Sequence, residues 1–60
     1  MIEPGHTYAS KRTNEVCIVT ELCRMPVVGN NFMQCVIYVD SDDKQHIHDL
    51  QGFEEEFEEF

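Results

Sequence analysis

Apolar and polar positions alternate along much of the chain and then change period near its end. In Glu15–Cys23 the alternation is partial: Val16, Ile18, Thr20 and Leu22 share one face, and Glu15, Cys17, Val19, Glu21 and Cys23 the other. A period of two predicts a strand, with the even face turned inward. Phe32–Val39 carries the strongest strand signal. Its faces (Phe32, Gln34, Val36, Tyr38 and Met33, Cys35, Ile37, Val39) are both largely apolar, which predicts a central strand buried on one side and partly covered on the other. Lys44–His48 reads as a shorter strand, with Gln45 and Ile47 on one face and His46 and His48 on the other. Thr7–Ala9 has room for only a very short strand. From Leu50 the period lengthens: Leu50, Phe53, Phe57 and Phe60 are spaced 3, 4 and 3 apart, a helical stripe set among Glu54, Glu55, Glu56, Glu58 and Glu59.

The segments between these elements are turn-forming. Pro4-Gly5 favours a type II turn. Residues 10–14 are polar and read as a loop, and Asp40–Asp43 as a tight turn. Pro26 and Gly29-Asn30 mark Arg24–Asn31 as a connection. So short a terminal helix is marginal alone, and acids in its last turn oppose its dipole. One or two helical turns packed on the sheet are therefore expected, then a fraying acidic end within 54–60. Several short strands, Pro/Gly turns and a terminal aromatic turn predict an all-β fold. Its expected form is a small, partly open SH3-like barrel of four or five short antiparallel strands with a short C-terminal helical turn. Closure would also hide the strand edges of so small a sheet. The expected core is Tyr8, Val16, Ile18, Leu22, Val36, Tyr38, Ile47, Leu50 and Phe53, in a single domain spanning 1–60.

The chain resembles short phage and prophage accessory proteins with SH3-like folds. The resemblance rests on an opening Pro-Gly followed by an aromatic (Pro4-Gly5-His6-Thr7-Tyr8) and a valine-rich strand pair (Val16–Leu22 and Val36–Val39). The closing pattern of Leu50, Phe53 and Phe57 completes it. It implies the same small barrel, a phage origin and a location in the host cytoplasm, and it brings no catalytic residues with it.

Charge narrows the range of partners. The 60 residues hold 12 acids against 4 bases, a formal net charge of -8. Residues 1–30 are neutral, whereas the second half carries the whole excess, with Lys44 its single base. Such a field repels nucleic acid and anionic membrane and attracts basic protein surfaces. Lys11-Arg12 is too small a basic cluster to reverse it. The length leaves no room for a nucleotide-binding α/β domain, and no apolar run approaches the roughly 20 residues of a membrane span. Met1–Tyr8 lacks the basic start and apolar centre of a secretory leader, so Cys17, Cys23 and Cys35 are expected to be reduced in a cytoplasmic protein. Cys17 and Cys35, in apolar stretches, are expected to be buried.

Candidate chemistry is sparse. His46 and His48 share a strand face and are the best metal-ligand candidates, but no CxxC knuckle accompanies them. Asp40, Asp42 and Asp43 open like a calcium loop, yet Gln45 and Gln51 stand where glycine and glutamate are needed. Acid-pair or Cys–His catalysis needs a walled cleft that 60 residues do not readily build. A cofactor-free, non-enzymatic protein binder is the expectation, either an adaptor or inhibitor of a host or phage protein. Its anchors would be Phe57 and Phe60, rimmed by Glu54, Glu55, Glu56, Glu58 and Glu59, facing a partner with a basic surface. The alternatives are an acidic DNA mimic that blocks a DNA-binding protein, and a homodimer or structural accessory protein.

Overall fold

A long hairpin organises the molecule. In the computed structural model, which describes residues 2–60, β2 (Val16–Pro26) and β3 (Phe32–Val39) pair antiparallel over nearly their whole lengths. β1 (Thr7–Ser10) pairs with the start of β2, and β4 (Gln45–Asp49) with Cys35–Val39 of β3. The helix α1 (Leu50–Glu56) then crosses to the other edge, where β5 (Phe57–Glu59) pairs antiparallel with β1. The result is one antiparallel sheet in the order β4-β3-β2-β1-β5. The sheet is not closed: β4 and β5 are its two edges. The all-β fold with five antiparallel strands and one short C-terminal helix is therefore as expected. No helix among the described residues is long and apolar enough to cross a membrane.

Two departures from the expected elements have plain causes. The segment read as a connection from Arg24 is strand as far as Pro26, and the turn is confined to the residues around Gly29, which has φ 80°. Val27 N–H donates to the Asn31 carbonyl at 3.0 Å, so Pro26, one step on, faces Phe32 at a non-hydrogen-bonded pair. A proline there forfeits no ladder bond. The acidic end, expected to fray, forms β5: Tyr8 pairs with Glu59, Ala9 with Glu58 and Ser10 with Phe57. Ladder bonds to β1 supply the partners that the end of a short helix lacks.

The core corrects the expected face of β2. Cys17 and Val19 are buried, while Ile18 is 49% exposed. Pairing decides this. Residues opposite one another share a face, and Cys17 lies opposite Tyr8 and Val19 opposite Tyr38. Between Val19 and Glu21 the register shifts by a bulge, which puts Leu22 opposite the buried Val36. Leu22 thus joins the inner face but stays partly exposed, since the hairpin there runs beyond the helix. Ile47 is 59% exposed on the outer face, opposite Ile37, so it too leaves the expected core.

The observed core is Ile2, Tyr8, Cys17, Val19, Val36 and Phe53, with Tyr38, Leu50 and Phe57 packed against it. Phe53 is its centre. Its ring stacks on Phe57 at 4.2 Å and meets Tyr8 edge-on at 5.6 Å. The buried Tyr8 hydroxyl accepts a hydrogen bond from Glu3 N–H at 2.9 Å, so its polar end is not stranded in the core.

Candidate functional site

The sequence dictates where the inner face is left open. α1 starts directly after β4 because Asp49 caps it: the carboxylate accepts a hydrogen bond from Gly52 N–H at 2.7 Å. Pairing of β4 with β3 therefore ends at Cys35, and Phe32–Gln34 have no strand neighbour on the side away from β2. A groove lies between this free stretch of hairpin and the helix. It consists of two adjoining hollows of about 520 and 400 Å³ that share Gln34 and Leu50. Leu22, Cys23, Arg24 and Cys35 complete the lining on the hairpin side. Asp49, Gln51, Glu54 and Glu55 complete it on the helix side.

The groove is polarised. Its hairpin wall is apolar apart from Gln34 and Arg24, and the Arg24 guanidinium lies over the Phe32 ring at 5.6 Å. Arg24 is thus the one cation among the groove-lining residues, set against an aromatic ring of the hairpin. The helix wall carries the carboxylates of Asp49, Glu54 and Glu55, with no base in the helix to balance them. Such an arrangement offers an apolar floor, an acidic wall and an unpaired stretch of strand backbone, the three elements of a site for an extended segment.

The expected anchors occupy other places. Phe57 is half-buried, stacked on Phe53, and serves the core. Phe60 is 82% exposed at the β5 end, its N–H donating to the Thr7 carbonyl at 3.2 Å. Glu58 and Glu59 lie in β5, where with Phe57 and Glu54 they line a smaller hollow beside Ile2 and Tyr8. Glu54 and Glu55 alone among the expected residues reach the groove. Leu22, Gln34 and Leu50 went unread as site residues. A signal for the first two existed: 22–39 contain one base and no acid, an acid-free arm in an acidic chain.

His46 and His48 do share a face, but each is taken by its own carboxylate. His46 Nε2 lies 2.7 Å from Asp40 Oδ2, and its ring stacks on Tyr38 at 5.1 Å. His48 Nε2 lies 2.8 Å from Glu56, and its Nδ1 3.0 Å from the Asp49 carbonyl. No group of three metal-ligating side chains converges among the described residues. The His46 hydrogen bond holds the Asp40 carboxyl below its ordinary range, helped by the backbone N–H groups of Lys44 and Asp42. These bonds also make the Asp40–Asp43 segment a self-sufficient turn, with Asp40 Oδ1 accepting from Asp42 and Lys44 at 2.9 and 3.0 Å. For His48, burial works against the charged form. The Asp49 carbonyl, the Glu56 carboxylate and the Asp49 charge outweigh it and raise the imidazole above its ordinary value. Burial raises the Tyr38 hydroxyl and the Cys17 thiol, with Asp40 adding to both.

Comparisons with protein-family models, curated proteins and solved structures find no match to this chain.

Proposed function

We propose that the chain is a non-enzymatic protein-binding module whose groove takes an extended partner segment carrying both apolar and basic side chains. The observation that carries this reading is the groove itself: a floor of Leu22 and Leu50 beside an acidic wall of Asp49, Glu54 and Glu55. Apolar side chains enter the floor, and Lys or Arg side chains face the wall. The unpaired backbone at Phe32–Gln34 adds ladder hydrogen bonds, as in strand-addition recognition. The strand order, with its helical turn between β4 and β5, supports the small-barrel reading of the fold. The resemblance to short phage accessory proteins supports an adaptor or inhibitor acting on a host or phage protein.

The test is a titration of the 15N-labelled chain with synthetic nine-residue peptides alternating Leu or Ile with Lys. Peptides with Glu in place of Lys serve as controls. The expected result is saturable binding of the basic series, with amide shifts clustered at Leu22, Gln34, Leu50, Glu54 and Glu55. The double substitution Glu54→Gln with Glu55→Gln should weaken it by roughly 1–2 kcal/mol, the range for partly exposed charge pairs. Equal binding of the acidic series would overturn the reading. So would shifts confined to Phe60 and β5, which would return the site to the terminal aromatic. Capture of DNA-binding proteins, lost on neutralising any of many acids, would favour the DNA mimic instead.

A further inference from the structure

Cys23 and Cys35 face each other directly across the β2–β3 ladder, and both line the groove. Both are free thiols here. We propose that they form a reversible disulfide under oxidation by a hydroperoxide, a modification site that controls the groove. The control rests on the groove being the binding site; the disulfide does not.

Register and spacing make the pair competent. The hydrogen bond from Val27 to Asn31 sets the alternation of the ladder, and Cys23, four residues before Val27, falls on a hydrogen-bonded pair with Cys35. The Cα atoms of such pairs are roughly 5.5 Å apart, within the range disulfides span. Their Cβ atoms stand somewhat further apart than a relaxed disulfide prefers, so the strands must draw together slightly. The hairpin has freedom to do so, since β1 pairs with β2 only at Val16–Ile18. A bond closed under strain is more readily reduced, which makes the site reversible.

The two thiols have different roles. Cys23 is half-buried and reaches solvent, whereas Cys35 is 2% exposed. Burial, the neighbouring Cys23 and Asp49 raise the Cys35 thiol, so it is the second to react. The Cys23 thiolate attacks one oxygen of the hydroperoxide and breaks the O–O bond. Cys23 becomes a sulfenic acid, and the alcohol or water leaves with one proton. Cys35 sulfur then attacks the Cys23 sulfur and expels hydroxide, which leaves as water with the Cys35 proton. Two thiols are oxidised by two electrons to one disulfide, and the peroxide is reduced. Cys17, on the inner face opposite Tyr8 and 4% exposed, is left out.

The experiment treats the reduced chain with hydrogen peroxide and reads intact mass, a non-reducing tryptic map and peptide binding. The expected product is a monomer lighter by two hydrogens, in which peptide 13–24 is linked to peptide 25–44. The link should persist in Cys17→Ser, vanish in Cys23→Ser and in Cys35→Ser, and be reversed by dithiothreitol. The oxidised chain should show shifted amides at Leu22, Gln34 and Leu50 and bind the Leu/Lys peptides about tenfold more weakly. A covalent dimer, a link through Cys17, or stable sulfinic acid on Cys23 would each overturn the disulfide, whatever the peptides do. A disulfide that leaves the affinity of the reduced, binding-competent chain unchanged would overturn its control of the groove. Failure of the reduced chain to bind any peptide is a separate result: it removes the groove reading and with it the control.

Discussion

Phe53 and Phe60 belong to the same stripe of aromatic residues three and four apart, and the fold gives them opposite duties. Phe53 is fully buried among Tyr8, Tyr38 and Phe57, so Phe53→Ala should cost about 3–5 kcal/mol in urea denaturation. Phe60→Ala, at an exposed chain end, should change stability by less than about 0.5 kcal/mol. A second residue-scale prediction concerns His48. Its folded pKa lies above its unfolded value, so the folded state holds the proton more tightly than the unfolded chain does. The stability it adds is fully present below the ordinary value of 6.5 and is lost as pH rises through the raised folded value. Thermal midpoints measured from pH 5.5 to 8.5 should fall across that window, and His48→Gln should flatten the fall. Asp40 has the opposite sign. Its contribution stands above the ordinary value of 3.8 and disappears as pH drops through its lowered folded value.

The helix shows how one element depends on its ends. With seven residues it is too short to persist by propensity, and it is held by the Asp49 cap and by Phe53 in the core. Asp49→Ala should therefore cost about 1 kcal/mol by chemical denaturation. Gly52→Ala, which intrinsic propensity alone would favour, should destabilise. The added Cβ would lie 2.7 Å from His48 Cε1 and 2.9 Å from the Asp49 carboxylate oxygens, so it would push against the cap and the His48 pairing together. Loss of His48 protection in an NMR pH titration of that variant would show the coupling. The hairpin element carries its own lesson. Pro26 looks like a strand breaker in the chain, yet its position on a non-hydrogen-bonded pair lets the arm continue past it.

At the scale of the molecule, charge and apolar surface are segregated. The arm between Leu22 and Val39 has Arg24 as its only charged residue, while the helix and β5 concentrate acids. The exposed Met25, Val27, Val28, Phe32 and Met33 extend the apolar surface of the arm beyond the groove. Folding brings the two regions together along one groove, and under the proposed function a basic partner would find there both steering and an apolar seat. Binding of the Leu/Lys peptides should accordingly weaken as salt rises from 0.05 to 0.5 M, and the apolar floor should leave a salt-resistant remainder. Leu50→Ser should reduce that remainder more than it changes the salt dependence.

Much of this was legible in the chain itself. Alternation in Phe32–Val39, the Asp40–Asp43 turn, the Pro4-Gly5 turn with Gly5 at φ 86°, and the helical spacing of Leu50 and Phe53 are local properties. Short-range sterics and hydrogen bonding decide them, so the element types and the all-β class follow from sequence. The core members Tyr8, Val36 and Phe53, with Tyr38 and Leu50 packed against them, follow too. Which face of β2 turns inward does not follow. Val16, Ile18 and Leu22 look as apolar as Cys17 and Val19, and only pairing with Tyr8 and Tyr38, together with the bulge after Val19, selects between them. Likewise the strand at Phe57–Glu59 exists because β1 presents a free edge, and the groove because the helix, although its start is set locally by the Asp49 cap, lies against the distant β2–β3 hairpin. Those are contacts between residues far apart in the chain, and no local pattern encodes them.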